Sequence, residues 1–313
     1  MRNWYRSSRK RRLRLMLQVL CGIVLAVSLF MLGRYAIEAL TVKDQQRHLS
    51  ATFHADEEAA ATSDTSLEPT PTPQATAEPA VAQEAAVALS PAPTSVTVPV
   101  IIYPNNPYAI YSYAFSGIRE INSDIVAWLQ VEELVDSAVV LRDNTYYLTH
   151  DIYKQENSNG ALFLDDSTEF IRAQRPCTFI VYGHNMKSGT MFGSLKNYEK
   201  QTWYYEHPFI TFNTLYEDGD YVVFSVGRMD VEDPLSPSYV NIYDLYSDLV
   251  EEREACLIRL HDLSSCYNRV PVSGTDQVLL LVTCQGTDRE RLIVSARRLR
   301  DGETREQLQK LVP

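Results

Sequence analysis

Apolar and polar positions divide the chain into three regimes. Residues 15–33 carry no charge, and only Gln18 and Ser28 break the run with polar side chains. As a helix rising about 1.5 Å per residue they reach roughly 30 Å, enough to cross a hydrocarbon core. Residues 51–100 behave differently: they hold thirteen Ala, seven of the fifteen Pro, one aromatic residue (Phe53) and no Gly. Such a segment buries too little apolar surface to offset the entropy of ordering. Its repeated Thr-Pro in Glu68-Pro-Thr-Pro-Thr-Pro-Gln74 favours extended backbone. From about residue 100 the apolar runs become short and β-branched, each bounded by Gly, Asn, Asp, Ser or Pro. They predict strands over 125–131, 138–141, 161–164, 178–182, 221–226, 277–283 and 292–296. Several are apolar on both faces, as central strands of a closed or two-layered sheet are. Helical patterns fall over 108–120 and 242–263, the second with a stripe of Leu245, Leu249, Cys256, Ile258, Leu260 and Leu263.

Charge sharpens this division. Residues 1–34 hold eight Lys or Arg and no acid, leaving 21 basic and 40 acidic groups for the rest. An acidic bulk argues against nucleic acid, whose phosphates need a basic face. The basic cluster before the apolar run puts the N-terminus in the cytoplasm and the remainder outside. The run is longer than a signal-peptide h-region, and Met31-Leu-Gly-Arg34 is a poor cleavage site, which favours an uncleaved signal-anchor. The expected organisation is a basic cytoplasmic tail (1–14), a transmembrane anchor (15–35), an extracytoplasmic stalk rich in Ala, Thr, Pro and Glu (36–100) and a mainly β head (101–313). From the pattern alone the head is a β-barrel or sandwich with flanking helices.

Candidate chemistry rests on three side chains. Beyond the apolar run the cysteines are Cys177, Cys256, Cys266 and Cys284, with no C-x-x-C pair to suggest structural zinc. Cys256 and Cys266, ten apart, are read as two reduced thiols, with pairing as the alternative. Cys284 ends a buried strand just before a polar loop, where a nucleophile is held rigidly yet reaches solvent; a core cysteine is the plainer reading. His184 leaves the strand 178–182 through Gly183, as an acid/base group would, with His150 as its rival. Arg291 opens the strand 292–296, where a guanidinium stabilises an oxyanion or simply pairs with Glu290 or Asp288. Arg289 shares its side if the strand extends backward.

Three ordered blocks resemble the sortase family, most closely class B, the cysteine transpeptidases of Gram-positive bacteria. They are Tyr182-Gly-His-Asn-Met-Lys-Ser-Gly-Thr-Met-Phe-Gly-Ser-Leu195, Leu281-Val-Thr-Cys284 and Arg291-Leu-Ile-Val294. Asn122-Ser-Asp-Ile-Val-Ala-Trp128, Asn144-Thr-Tyr-Tyr-Leu-Thr-His-Asp151 and Gly160-Ala-Leu-Phe-Leu-Asp165 extend the likeness over residues 108–300. The resemblance implies a closed eight-stranded β-barrel with N-terminal helices and a long helix between strands six and seven. It implies Cys284 as nucleophile, His184 as acid/base, Arg291 at the oxyanion, and Asn144, Leu148 and Thr283 at the peptide. It implies a sorting-signal peptide of secreted surface proteins as donor and a peptidoglycan or pilin amine as acceptor, with no cofactor and no metal. A pilin-assembling sortase, a cysteine endopeptidase and an inactive tethered binding ectodomain are the competing readings. The departures are a short nucleophile loop, Gln285 after the cysteine, Val282 two before it, and two competing arginines; the lack of a visible lid signature or second C-terminal membrane span weighs against a typical class C pilin polymerase.

Overall fold

The computed structural model describes residues 2–64, 113–170, 178–285 and 287–312; residues 2–15, 60–64, 113, 284–285 and 287–289 are described by backbone alone. Eight strands close into a barrel: β1 (Ile125–Val131), β2 (Val135–Val140), β3 (Leu162–Leu164), β4 (Thr178–Gly183), β5 (Phe209–Thr214), β6 (Asp220–Asp230), β7 (Val278–Gln285) and β8 (Thr287–Arg298). Around the barrel they run β1-β2-β3-β4-β7-β8-β6-β5, and β5 closes on β1. The β2–β3 and β4–β7 pairs are parallel. A parallel pair needs a long crossover, and the one from β4 to β7 carries β5, β6 and four short helical elements. Those are a 3₁₀ turn (Leu195–Glu199), α3 (Gln201–Glu206), a second 3₁₀ turn (Ile242–Tyr246) and α4 (Val250–Asp262).

Burial follows the pattern. Val278, Leu279, Leu280 and Leu281 of β7 are all fully buried, so the unbroken apolar run is that of a strand covered on both faces. The strand absent from the sequence reading is β5, whose Phe209-Ile-Thr-Phe-Asn-Thr214 mixes polar and apolar positions and follows the turn-like His207-Pro208. The helix expected over 242–263 is broken, because Ser247 Oγ accepts the Leu249 backbone N–H at 3.1 Å before α4 begins. Arg253 of α4 is fully buried and ties this insertion to the barrel. Its guanidinium donates to the carbonyls of Gly274 (2.7 Å) and Asp276 (2.8 Å) and to Thr178 Oγ1 (2.9 Å). Of the helix expected over 108–120, the described part is a 3₁₀ turn (Tyr113–Phe115) and α2 (Ser116–Ile121).

One long helix, α1 (Arg2–Asp64), precedes the barrel. Within it, residues 16–33 are apolar and exposed, a stretch long enough to cross a membrane. The stalk expected over 36–100 differs from the structure in its first part, since residues 36–64 continue α1, and side chains between 38 and 57 dock on the barrel side. Val42, Leu49 and Phe53 are buried. Phe53 stacks on Trp128 with ring centroids 4.3 Å apart. Polar neighbours on the same side make hydrogen bonds: Gln45 Nε2 donates to Asp151 at 2.9 Å, and Asp56 accepts the Gly117 N–H at 3.0 Å. Only three large apolar residues mark this face, so an Ala-rich, polar stretch conceals it. Residues 65–100 of the expected stalk lie outside the described residues.

Candidate active site

The strand order brings together segments far apart in sequence. On β4, Gly183 pairs with Thr283 of β7, so His184 leaves the barrel at the rim where Cys284 stands. On the other side of β7, Cys284 pairs with Arg291 of β8, and the register shifts immediately after it. Arg291 also pairs with Met229 of β6. One parallel ladder and one antiparallel ladder thus place residues 184, 284 and 291 at one end of three adjacent elements.

A cavity of about 310 Å³ opens at this rim, and His184, Arg291, Asn144, Leu148 and Val282 all line it. The His184 ring is held by Nε2–H donating to the Leu148 carbonyl at 2.7 Å. Gly160 lies behind this contact with φ +60°; a Cβ there would meet the Tyr147 carbonyl oxygen at 2.4 Å and His184 Cδ2 at 3.3 Å. Only glycine combines that backbone conformation with so close an approach. The Arg291 guanidinium donates to Glu232 Oε1 at 3.2 Å. Glu232 sits in the loop after β6 and lines the same cavity.

The peptide-contact expectations divide. Asn144 and Leu148 are in the lining, whereas Thr283 is buried between Gly183 and Leu292 and is not among the lining residues. Tyr182, Ile242, Tyr243 and Glu232 line the cavity without having been singled out from sequence. Tyr182 stands in the histidine block. Tyr243 and Glu232 belong to the β6–β7 connection and give no local signal. His150 is stacked on Tyr146 at 4.0 Å, with Nδ1–H donating to the Tyr146 carbonyl, and is outside the lining. Cys256 and Cys266 are free and buried, the former with its thiol pushed up to about 12 by burial. Cys177 lies outside the described residues, and Arg289 is described by backbone alone. Among the described residues no cluster of three or more His, Cys, Asp or Glu is set to hold a metal.

Comparison with known proteins bears on the fold and the family. The sortase domain model matches residues 129–299. Sortase B of Listeria monocytogenes is 27% identical over 173 residues, which cover 53% of this chain and 65% of that protein. Sortase B of Staphylococcus aureus is 28% identical over 189 residues, covering 58% and 73%. The chain thus spans just under two thirds of the Listeria protein's length. Among solved structures, sortase B of Bacillus anthracis in complex with AAEK1 superposes with a TM-score of 0.52 at 26% identity, covering 61% of this chain and 86% of that one. With the domain match spanning more than half of its length, the chain belongs to the sortase family, and within it resembles sortase B.

Proposed function

We propose that this protein is a membrane-anchored cysteine transpeptidase that cleaves a C-terminal sorting signal and joins the freed carbonyl to an amine of the cell wall. The observation that carries the reading is the backbone register: Cys284 opposite Arg291, and one strand over, the Gly183 that leads into His184. Two residues beyond cavity-lining Val282, Cys284 stands on the same face of β7.

In this mechanism the Cys284 thiolate attacks the scissile carbonyl, forming a tetrahedral intermediate that collapses to a thioacyl-enzyme as the C-N bond breaks. His184 gives its proton to the departing amine. An incoming amine then attacks the thioester and loses its proton to His184, and the Cys284 thiolate leaves as the C–S bond breaks. Arg291 stabilises the oxyanion in both halves. Its resting partner Glu232 is more than half exposed, and an ion pair of that kind contributes about 0–1 kcal/mol, so a developing oxyanion readily exchanges for it. Asn144 and Leu148 border the bound peptide. The apolar part of α1 spans the membrane with the basic N-terminus in the cytoplasm and the barrel outside.

The test uses the full-length chain in detergent with five-residue sorting peptides, with and without an amine acceptor. Wild type is expected to give cleaved peptide alone and a ligated product when the amine is present. Cys284→Ala and His184→Ala are expected to lower both by about 10²–10⁴-fold. Cleavage that the amine never diverts would mark an endopeptidase. Equal turnover by wild type and Cys284→Ala would end the proposal.

A further inference from the structure

The wall of the cavity contains a carboxylate that the chemistry above leaves unused. Asp165, just after β3, is fully buried. Its Oδ1 accepts the Ser167 backbone N–H at 3.0 Å. Its Oδ2 accepts the Tyr182 hydroxyl at 3.2 Å and the Asn144 side-chain amide at 3.3 Å. The Tyr182 hydroxyl is in turn 3.2 Å from the hydroxyl of Tyr243, which is 49% exposed. Asn144, Tyr182 and Tyr243 all line the cavity.

The polarity of this network is forced. Three donors converge on Asp165, as suits an ionised carboxylate, which only accepts. Tyr182 therefore spends its one proton on Asp165, and the contact between the phenols requires Tyr243 to donate to Tyr182. Burial, followed by the neighbouring Tyr243 and the charge of Asp165, pushes the Tyr182 phenol far above its usual range, so it keeps that proton. Asn144 is oriented as firmly: its Oδ1 accepts the Asp166 backbone N–H at 3.0 Å, which leaves Nδ2 for Asp165. With those bonds made, the wall offers an acceptor at Tyr243 Oη and a donor at the second N–H of Asn144.

We infer that Asp165 is a positioning residue that sets the Tyr243–Tyr182 relay and the Asn144 amide so that the wall reads amide groups of a bound peptide, an N–H at Tyr243 and a C=O at Asn144. This rests on the peptide-binding reading above. The amide belongs either to the peptide backbone or to a side-chain carboxamide, and the two arms of the test separate them.

Binding is measured by fluorescence polarisation on the full-length chain carrying Cys284→Ala, so that turnover plays no part. One arm moves a single N-methyl group through the peptide bonds of a five-residue peptide; the other exchanges Gln for Met at each position. At one position, loss of the N–H is expected to weaken binding by about threefold to tenfold, the value of one hydrogen bond. Tyr243→Phe, a change at a half-exposed ring, is expected to abolish that sensitivity. Asp165→Asn, which lets the relay reverse, is expected to do the same, with Asp165→Glu restoring part of it. Sensitivity that persists in Tyr243→Phe, or its absence at every position in the parent, overturns the inference. Cleavage by the Cys284-containing chain, scored separately, decides whether the peptide reading stands without it; if neither chain binds or cleaves any peptide, both fall.

Discussion

The imidazole of His184 and the main-chain carbonyl of Leu148 are joined by a 2.7 Å hydrogen bond across 36 residues of sequence. A carbonyl can only accept, so the neutral ring carries its proton on Nε2 and presents the Nδ1 lone pair. The nitrogen free to exchange protons at the rim is therefore Nδ1. Long-range ¹H–¹⁵N correlation spectra of the His184 ring, with His184→Gln to assign it, are expected to show Nε2 as the protonated nitrogen of the neutral ring. The opposite tautomer would mean that the Leu148 contact does not orient the ring.

Gly160 supports both partners of that bond, and Gly302 gives a matched control. Both have positive φ, +60° and +83°, but an added Cβ meets the Tyr147 and Leu148 carbonyls at 160 and nothing within 4 Å at 302. Gly302→Ala is expected to cost about 1 kcal/mol through backbone strain alone, with peptide cleavage unchanged. Gly160→Ala is expected to cost about 2–4 kcal/mol in denaturant titrations and to lower cleavage by at least tenfold, because the carbonyl that holds His184 must move. Equal behaviour of the two variants would separate Gly160 from the site.

Phe53 distinguishes a docked helix from a solvated spacer. It is 1% exposed, stacked on Trp128 and edge-on to Phe115 at 5.2 Å. Phe53→Ala is expected to destabilise the barrel by about 3–5 kcal/mol, as removal of a buried aromatic does. Trp128 fluorescence during chemical denaturation reads this directly, and a change below 1 kcal/mol would argue that this part of α1 is undocked in solution.

The same face carries a pH-sensitive contact. His54 Nε2 lies 3.3 Å from Asp136 Oδ2 and Nδ1 lies 3.1 Å from Glu57 Oε2. Burial works against the charged ring, but the hydrogen bonds and charges of Glu57 and Asp136 outweigh it and raise its pKa above the usual value near 6.5. A raised folded-state pKa means that the stabilisation is complete below about 6.5 and is lost as pH climbs through the folded value. Melting temperatures of wild type are expected to fall over that window relative to His54→Gln, which lacks the titration. Parallel curves would exclude His54 as the source.

The barrel was largely legible because its strands advertise themselves. Runs such as Val278-Leu-Leu-Leu-Val282 have no other stable use in a chain of this composition, and the blocks around His184, Cys284 and Arg291 point to one family. What stayed hidden depends on contacts between distant segments. β5 is too short and too polar to stand out until β1 and β6 flank it. The Glu232–Arg291 pair joins residues 59 apart, and Tyr243 approaches Tyr182 from an insertion that Arg253 and Thr178 tie to the barrel. Thr283 stands next to Cys284 in sequence, but strand alternation and burial leave it out of the cavity lining. The docked half of α1 was missed because its barrel-facing side is built mostly of polar groups that find specific partners.

α1 runs from Arg2 to Asp64 without a break, and its two halves have different surroundings. A lever of about 95 Å with no hinge transmits rotation as well as distance. Any tilt or turn of the apolar half about its own axis must swing the barrel by the same angle. In the proposed membrane-anchored arrangement the height and heading of the cleft follow helical phase: one residue inserted between the two halves would turn the cleft through about 100° and raise it about 1.5 Å, leaving every contact within the barrel intact.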